Sequence, residues 1–198
     1  MFSGIIPQTV SIQNINSSSE GTWITIDNPH LQNPLVGDSI AVDGACLTIA
    51  NIQSDSIQFF AMPETLRKTI IPFYQAQDEV NIEYSLQVGQ DVGGHFVYGH
   101  IDGLATVKQI EQDGEARLIT LSLPPNLMKY MTIQGTVALN GVSLTVARLD
   151  SDNSTITISL LEHTWTVTNL KEHSIGSHLN LECDMMAKYI VHYVEKFN

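Results

Sequence analysis

Two histidines stand in a glycine-rich segment near the middle of the chain, which reads Gly-Gly-His-Phe-Val-Tyr-Gly-His-Ile-Asp-Gly over residues 93–103. A histidine there can take up or release a proton near neutral pH, as general acids and bases do. The spacing matches neither the Gly-x-Gly-x-x-Gly of a dinucleotide loop nor the Gly-Lys-Ser/Thr of a phosphate loop. No cluster of thiolates or carboxylates accompanies the histidines, so we expect no metal site.

Two possible nucleophiles occupy equivalent positions of two similar motifs. Residues 42–49 read Val-Asp-Gly-Ala-Cys-Leu-Thr-Ile and residues 139–146 read Leu-Asn-Gly-Val-Ser-Leu-Thr-Val, so Cys46 aligns with Ser143. A thiol and a hydroxyl can both add to an electrophilic carbon. Each also has an ordinary structural interpretation, because free cysteine is commonly a small buried apolar residue and a serine can simply end a strand.

These two motifs belong to a duplication that runs through the chain. Three further pairs of segments match in the same order: 3–6 with 98–101, 64–66 with 163–165, and 80–83 with 179–182. The shifts within the pairs differ by only a few residues, as expected for two copies of one domain with small loop insertions. We therefore predict domains at 1–88 and 89–185, followed by a different segment at 186–198.

Alternating apolar residues predict β-strands in both halves. The runs are 57–61, 80–84, 119–123, 156–160 and 179–183. Short strands separated by turns favour an all-β fold with a small antiparallel barrel in each half. The proline-flanked segments Asn28 to Pro34 and Pro124 to Met131 are predicted to hold short helices, because proline is well tolerated in a first helical turn.

The last residues follow a helical pattern instead. Residues 185–197 lack glycine and proline, and apolar residues recur at steps of three and four: Met186, Tyr189, Ile190, Tyr193, Val194 and Phe197. This amphipathic helix has no counterpart in the first half. It either packs on its own barrel or pairs with other subunits, and Asp184 stands where a helix N-cap would.

The composition narrows the possible partners. The chain carries 21 acidic and 9 basic residues, a formal charge of −12, and its Lys and Arg are not clustered. Such a chain repels phosphate backbones and anionic lipids, so we expect neither nucleic-acid nor membrane binding. The two cysteines are too few for a disulfide-rich secreted scaffold. The N-terminus does not resemble a signal peptide, and we expect a cytoplasmic protein.

The ordered motifs resemble riboflavin synthase along the whole chain. The resemblance rests on Met-Phe-Ser-Gly-Ile-Ile at 1–6, Asp-Gly-Ala-Cys-Leu-Thr at 43–48, segment 93–103, Asn-Gly-Val-Ser-Leu-Thr-Val at 140–146 and Glu-Cys-Asp at 182–184. It implies two six-stranded barrels and a C-terminal helix that assembles a homotrimer, with active sites between adjacent subunits. It also implies that two molecules of 6,7-dimethyl-8-ribityllumazine become riboflavin and 5-amino-6-ribitylaminouracil, without a cofactor.

The resemblance further implies roles for individual residues. His100 and Ser143 are expected near the lumazine that loses a proton, Cys46 or a water near C7 of the other, and Asp184 as an orienting acceptor, with Thr145 also in the catalytic group. These residues except Asp184 are also expected to bind substrate, together with Phe2, Gly4, Ile5, Ile6, Ser39, Ala45, Leu47, Thr48, Met62, Glu64, Thr65, Gly99, Ile101, Gln134, Leu144, Leu161, His163 and Thr164.

Two alternatives and a few departures from the family pattern remain. Glu162 stands where the family has a proline, and Gln134 stands where it often has a lysine. The change at Gln134 removes a cation that could reach the ring or ribityl oxygens of a ligand, so it bears on ligand affinity more than on fold. The chain also resembles lumazine proteins, which bind a lumazine or flavin on the same fold without turnover. In those proteins the Gly-His segment and the second hydroxyl motif are typically eroded, whereas here both remain. A flavin barrel of a reductase would need a nucleotide-binding domain for which this chain has no room.

Overall fold

Two closed barrels of six antiparallel strands form the body of the molecule. The computed structural model describes residues 1–29 and 33–197. The strands of the first barrel are β1 (Gln8–Ser17), β2 (Thr22–Asp27), β3 (Ser39–Val42), β4 (Ala45–Ile52), β5 (Ser56–Ala61) and β6 (Glu79–Tyr84). Those of the second are β7 (Gly103–Asp113), β8 (Ala116–Ser122), β9 (Thr136–Leu139), β10 (Val142–Asp150), β11 (Thr155–Leu161) and β12 (His178–Cys183).

The two barrels share one topology. Around the first barrel the order is β1-β2-β5-β4-β3-β6, and around the second it is β7-β8-β11-β10-β9-β12, which is the same path taken by the equivalent strands. This confirms the predicted all-β fold with two tandem barrels. The chain between Tyr84 and Gly103 contains no strand of either barrel and joins the two.

The helices are short except the last. Helix α1 (Pro63–Lys68) and helix α2 (Glu162–Val167) follow the fifth strand of each barrel, and the 3-10 helices Ile71–Phe73 and Asn169–Glu172 come after them. The predicted helix at Pro124 to Met131 is a 3-10 helix, Pro125–Tyr130. The helix predicted from Asn28 to Pro34 falls partly on residues 30–32, which lie outside the described residues; residues 28–29 and 33–34 are not helical.

The final helix, α3 (Met185–Phe197), confirms the amphipathic pattern. Its polar side is tied to its own barrel, because Lys188 Nζ lies 2.6 Å from Asp102 Oδ2 and Glu195 Oε1 lies 2.7 Å from Lys129 Nζ. Its apolar side chains remain exposed in the single chain, from about half to two thirds of their surface: Met186, Tyr189, Ile190, Tyr193, Val194 and Phe197. Within one chain, the helix therefore docks by charge and presents its apolar residues outward.

Each barrel has its own apolar core. In β5, Ile57, Phe59 and Ala61 are fully buried, and in β11 the same alternation buries Ile156 and Leu160. Burial of such side chains is the main source of barrel stability, at roughly 2 kcal/mol for each large residue. The alternation that predicted these strands therefore reports the inward face of each barrel.

Polar residues on the outer face of the last strands are also buried, because that face meets the other barrel. Asn81 on β6 accepts a hydrogen bond at Oδ1 from the backbone N–H of Asn169 (2.8 Å) and donates from Nδ2 to the carbonyl of Asn140 (2.9 Å). Asn180 on β12 makes the reciprocal pair, with Ile70 N (2.8 Å) and the carbonyl of Asp43 (2.8 Å). The barrels are thus related by an approximate two-fold axis.

One carboxyl group breaks this symmetry. Asp43 is fully buried where the second barrel has Asn140. Asp43 Oδ1 accepts hydrogen bonds from Asn81 N (2.8 Å) and Asn169 Nδ2 (2.9 Å), and Oδ2 accepts from the Tyr74 hydroxyl (2.8 Å). All three donors are neutral. Burial therefore outweighs them and raises the pKa of Asp43 from 3.8 to about 7.

This raised pKa predicts a pH-dependent stability that Asp43→Asn removes. The folded pKa lies above the unfolded one, so the stability linked to the neutral carboxyl is complete below about pH 4 and is lost as the pH rises through about 7. The difference is on the order of 4 kcal/mol. An asparagine amide at this position can keep both Oδ1 contacts and donate to Tyr74. Urea unfolding of both proteins at about pH 5 and pH 8 should show the variant gaining relative stability at the higher pH; equal pH dependence would contradict the prediction.

Candidate functional site

The first barrel carries a cavity of about 280 Å³ at the edge of β4 and α1. Its walls bring together seven of the residues expected to bind substrate, which are Ala45, Cys46, Glu64, Thr65, Gly99, His100 and Ile101. The first four belong to the first barrel. The last three belong to the second repeat, so the pocket of one barrel is completed by a segment that leads into the other.

Gly99 allows this segment to approach the thiol-bearing strand. The backbone N–H of Cys46 donates to the carbonyl of Gly99 at 3.0 Å. A Cβ on Gly99 would stand 2.5 Å from the Cβ of Cys46, and the residue has a φ of +77°. Glycine is therefore required on both steric and backbone grounds. The close contact keeps His100, the next residue, beside the half-buried Cys46.

The second barrel repeats the arrangement with the opposite segment. The N–H of Ser143 on β10 donates to the carbonyl of Gly4 at 2.8 Å. A Cβ on Gly4, whose φ is +74°, would lie 2.6 Å from the Cβ of Ser143. The N-terminal segment of the first repeat thus covers β10 of the second barrel at Ser143. We call residues 3–4 and 98–100 the crossed segments, because each belongs to one repeat and packs on the barrel of the other.

A second histidine lies beside Ser143. His95 Nδ1 and Ser143 Oγ are 2.7 Å apart. Burial lowers the pKa of His95, and the charge of Asp184 opposes that effect. A neutral imidazole can accept the proton of the hydroxyl, so the pair has the geometry of a serine with its base. His95 was not among the predicted site residues, although its position in the glycine-rich segment beside Gly93 and Gly94 was a signal for it. Within one chain, His100 lies with Cys46 and not with Ser143.

Asp184 has two structural partners. Its Oδ1 accepts the backbone N–H of Met186 at 2.8 Å, which confirms the predicted cap of α3. Its Oδ2 accepts a hydrogen bond from the hydroxyl of Thr136. The carboxylate therefore anchors the start of the helix close enough to His95 to influence its titration. Both uses anticipated for Asp184, capping and orienting, are compatible with this position.

The remaining expected residues fall into three groups. Some are buried in the barrels or between them: Phe2, Ile6, Leu47 and Leu144. Others are exposed on the rim, which includes Ile5, Met62, Leu161, His163 and, in a positive-φ turn, Gln134. Thr48 and Thr145 are exposed two residues beyond Cys46 and Ser143, and Thr48 pairs with the half-buried Ser39 in the sheet register. Thr164 is half-buried on α2, and its carbonyl accepts the hydroxyl of Thr168 at 2.7 Å.

We next ask which of the described side chains could bind a metal ion. Over residues 1–29 and 33–197, no three His, Cys, Asp or Glu side chains gather into a possible metal site. Both cysteines are free thiols, and burial raises the pKa of Cys183 to about 12. None of the helices described is both long and apolar enough to cross a membrane.

Comparison with known proteins assigns the family. A lumazine binding domain is recognised twice, over residues 3–85 and 98–184. The whole chain is 37% identical to the riboflavin synthase of Bacillus subtilis (strain 168), over 92% of that protein. The chain belongs to the riboflavin synthase family. It is therefore an enzyme of the transferase class. In the same family, the protein of Actinobacillus pleuropneumoniae is 35% identical over 99% of this chain and 91% of its own length.

Solved structures support the fold assigned to this riboflavin synthase family member. LumP complexed with riboflavin matches with a TM-score of 0.86 and 24% identity, over 93% of this chain and 100% of the LumP chain. LumP complexed with 6,7-dimethyl-8-(1'-D-ribityl) lumazine matches with a TM-score of 0.83 and 24% identity, over 93% and 99%. At this level of identity the likeness concerns the paired barrels themselves.

Proposed function

We propose that the protein is a riboflavin synthase that converts two molecules of 6,7-dimethyl-8-ribityllumazine into riboflavin and 5-amino-6-ribitylaminouracil. A four-carbon unit, C6 and C7 with their methyl groups, leaves one molecule and joins the other, so no atoms are gained or lost. The single observation that carries the proposal is the pair of equivalent sites with unequal chemistry. One has Cys46 with His100, and the other has Ser143 with His95.

Equivalent sites suit a reaction between two copies of one substrate. Two barrels with the same frame can bind the same heterocycle, and holding both molecules in register removes much of the entropic barrier to a bimolecular reaction. The reaction is nevertheless asymmetric, because one lumazine donates carbon atoms and the other accepts them. Unequal side chains at Cys46 and Ser143 meet that need.

We assign the proton chemistry to the second barrel. The C7 methyl of the lumazine is acidic because its anion delocalises into the ring, so a modest base suffices. Burial lowers the pKa of His95, which favours the neutral imidazole, and that imidazole can take a proton relayed through the Ser143 hydroxyl at 2.7 Å. In the first barrel, Cys46 or a water beside it adds transiently to C7 of the other molecule, and His100 polarises that ring.

We further propose that three chains assemble through α3 and that the enzyme works in the cytoplasm. The exposed apolar side of α3 supports assembly, because contiguous apolar surface of this kind commonly marks an interface. In the trimer, each reaction site would combine the first barrel of one chain with the second barrel of a neighbour. The two free thiols suit a reducing compartment.

Incubation of the purified protein with the lumazine under anaerobic conditions tests the activity. Riboflavin and the diaminouracil should form in equal amounts, and a chelator should leave the rate unchanged. Lumazine that binds but is recovered unaltered would favour the alternative, a non-catalytic lumazine-binding or flavin-binding protein. Activity that disappears with the chelator and returns with a divalent ion would contradict the cofactor-free reaction.

Cys46 provides a graded test of the first site. Cys46→Ser keeps a polar atom that can still add to the substrate, so we expect reduced but measurable turnover, and Cys46→Ala should be slower. Because Cys46 is only half-buried, both changes should alter the melting temperature little. Steady-state kinetics of the two variants, with Cys183→Ser as a thiol control outside the pocket, would show the order. Equal turnover for serine, alanine and wild type would remove Cys46 from the chemistry.

A further inference from the structure

Two buried glutamates hold the crossed segments in place. Glu83 Oε1 accepts the backbone N–H (2.6 Å) and the hydroxyl (2.7 Å) of Ser3, and Oε2 accepts the N–H of Gly4 (3.0 Å). Glu182 accepts three successive N–H groups from residues 98–100, at 2.7, 2.9 and 3.1 Å. Both side chains are almost completely buried, at 6% and 2% exposure.

Each glutamate lies on one barrel and holds a segment that packs on the other barrel. Glu182 is on β12 of the second barrel, yet the segment it holds packs on Cys46 of the first barrel through Gly99. Glu83 is on β6 of the first barrel, and the segment it holds packs on Ser143 of the second barrel. We call these two carboxylates, with the N–H groups they accept, the crossed clamps.

The crossed clamps have the chemistry needed to fix a loop. Hydrogen bonds from backbone N–H groups to a buried carboxylate are shorter and stronger than those between neutral partners. The chain segments that contain these loops also pair with each other: Phe2 N donates to the Val97 carbonyl (2.7 Å), Val97 N donates to that of Phe2 (3.1 Å), and His95 N donates to that of Ser3 (3.1 Å). Removing a carboxylate oxygen would leave a buried N–H without an acceptor, which is unfavourable.

We propose that Glu83 and Glu182 are crossed positioning residues, each of which holds in place the segment that covers Ser143 or Cys46 on the opposite barrel. Neither glutamate takes part in the chemistry. Glu182 places His100 beside Cys46, and Glu83 places Gly4 and its neighbours against Ser143. This inference rests on the proposed function only in treating the surroundings of Cys46 and of Ser143 as ligand sites.

Hydrogen exchange of two backbone amides tests, without turnover, whether each glutamate acts on the opposite barrel. Cys46 N donates to Gly99 and Ser143 N donates to Gly4, so each amide reports on the segment that covers its own barrel. Glu182→Gln keeps the shape of the side chain but replaces one carboxylate oxygen with an NH₂ group, which faces a backbone N–H of residues 98–100 and cannot accept from it. We expect exchange at Cys46 to accelerate about tenfold or more, with Ser143 unchanged, and Glu83→Gln to do the reverse. Glu79→Gln, a half-buried glutamate on β6 that binds Ser11, should change neither.

Other exchange patterns would overturn the crossed clamps. Acceleration on the same barrel as the mutation, on both barrels equally or on neither barrel would contradict them. If Glu83→Gln does not fold, Ser3→Ala removes the hydroxyl contact of that clamp, together with the hydrogen bond that Ser3 Oγ accepts from Ile5 N, and should accelerate exchange at Ser143 alone.

Kinetics separate positioning from general loss of structure. Glu182→Gln should lower kcat about tenfold with a smaller rise in KM, because His100 is displaced while the part of the pocket wall that belongs to the first barrel stays in place. A rise in KM at unchanged kcat would contradict this positioning role. A crossed exchange pattern in a protein that makes no riboflavin would keep the clamps and refute the proposed function. Riboflavin formation with an uncrossed pattern would refute the clamps alone.

Discussion

Replacing His95 with alanine should lower kcat by on the order of 10²-fold or more while leaving KM nearly unchanged. The imidazole is the only partner recorded for the Ser143 hydroxyl among the described residues, at 2.7 Å. Without it, the proposed proton transfer from the lumazine methyl has no base at the second barrel. The hydroxyl remains available to bind substrate, which is why affinity should survive.

Combining this change with Ser143→Ala shows whether the two residues act as one unit. Steady-state kinetics should give a double variant about as slow as either single variant, because a relay is broken equally by removing either member. His178→Ala is a matched control, since His178 is an exposed histidine on β12 that contacts Thr106 and Phe73. Multiplicative losses in the double variant would show that His95 and Ser143 contribute separately.

Deletion of residues 186–198 should lower the mass in solution from trimer to monomer and abolish most of the activity. The segment carries the exposed apolar side of α3, through which we propose that three chains assemble, and the proposed site between neighbouring chains cannot form without that assembly. Sedimentation and turnover should be measured on the same sample.

Point changes on α3 sharpen the test of assembly. Tyr193→Glu places a charge on the apolar side, where Tyr193 is 65% exposed and packs against Phe197, and it should act like the deletion. His192→Glu adds the same charge at an exposed neighbour on the helix and should leave both mass and activity intact. A Tyr193→Glu protein that stays trimeric and active would show that the helix only covers its own barrel.

Much of the fold could be predicted because the duplication doubled the signal. Alternation in one run of five residues is weak evidence, but the same alternation at 57–61 and 156–160 indicates a repeated strand, and β5 and β11 confirm it. The chain end was equally clear, since its apolar spacing matches α3. Cys46 and Ser143 could be paired because their motifs align.

The crossing of the segments could not be predicted. Alignment of Gly4 with Gly99 shows that the two positions are equivalent, but it does not show which barrel each one touches. Alternation along 80–84 and 179–183 predicted strands but did not predict that Glu83 and Glu182, on the face opposite the apolar residues, are buried by the neighbouring barrel. The available signal was that the same polar residues, Asn and Glu, recur in both copies, which is more than a solvated strand face requires.

The crossed segments also constrain how such a protein can evolve. Each repeat supplies the segment that covers the barrel of the other repeat, so a deletion that removed one repeat would leave the remaining barrel without its covering segment. Neither copy can be discarded, yet positions such as 46 and 143 remain free to diverge, because the frame around them is maintained from the opposite copy. The two repeats therefore depend on each other for their structure, while their sites at Cys46 and Ser143 can take different chemical roles.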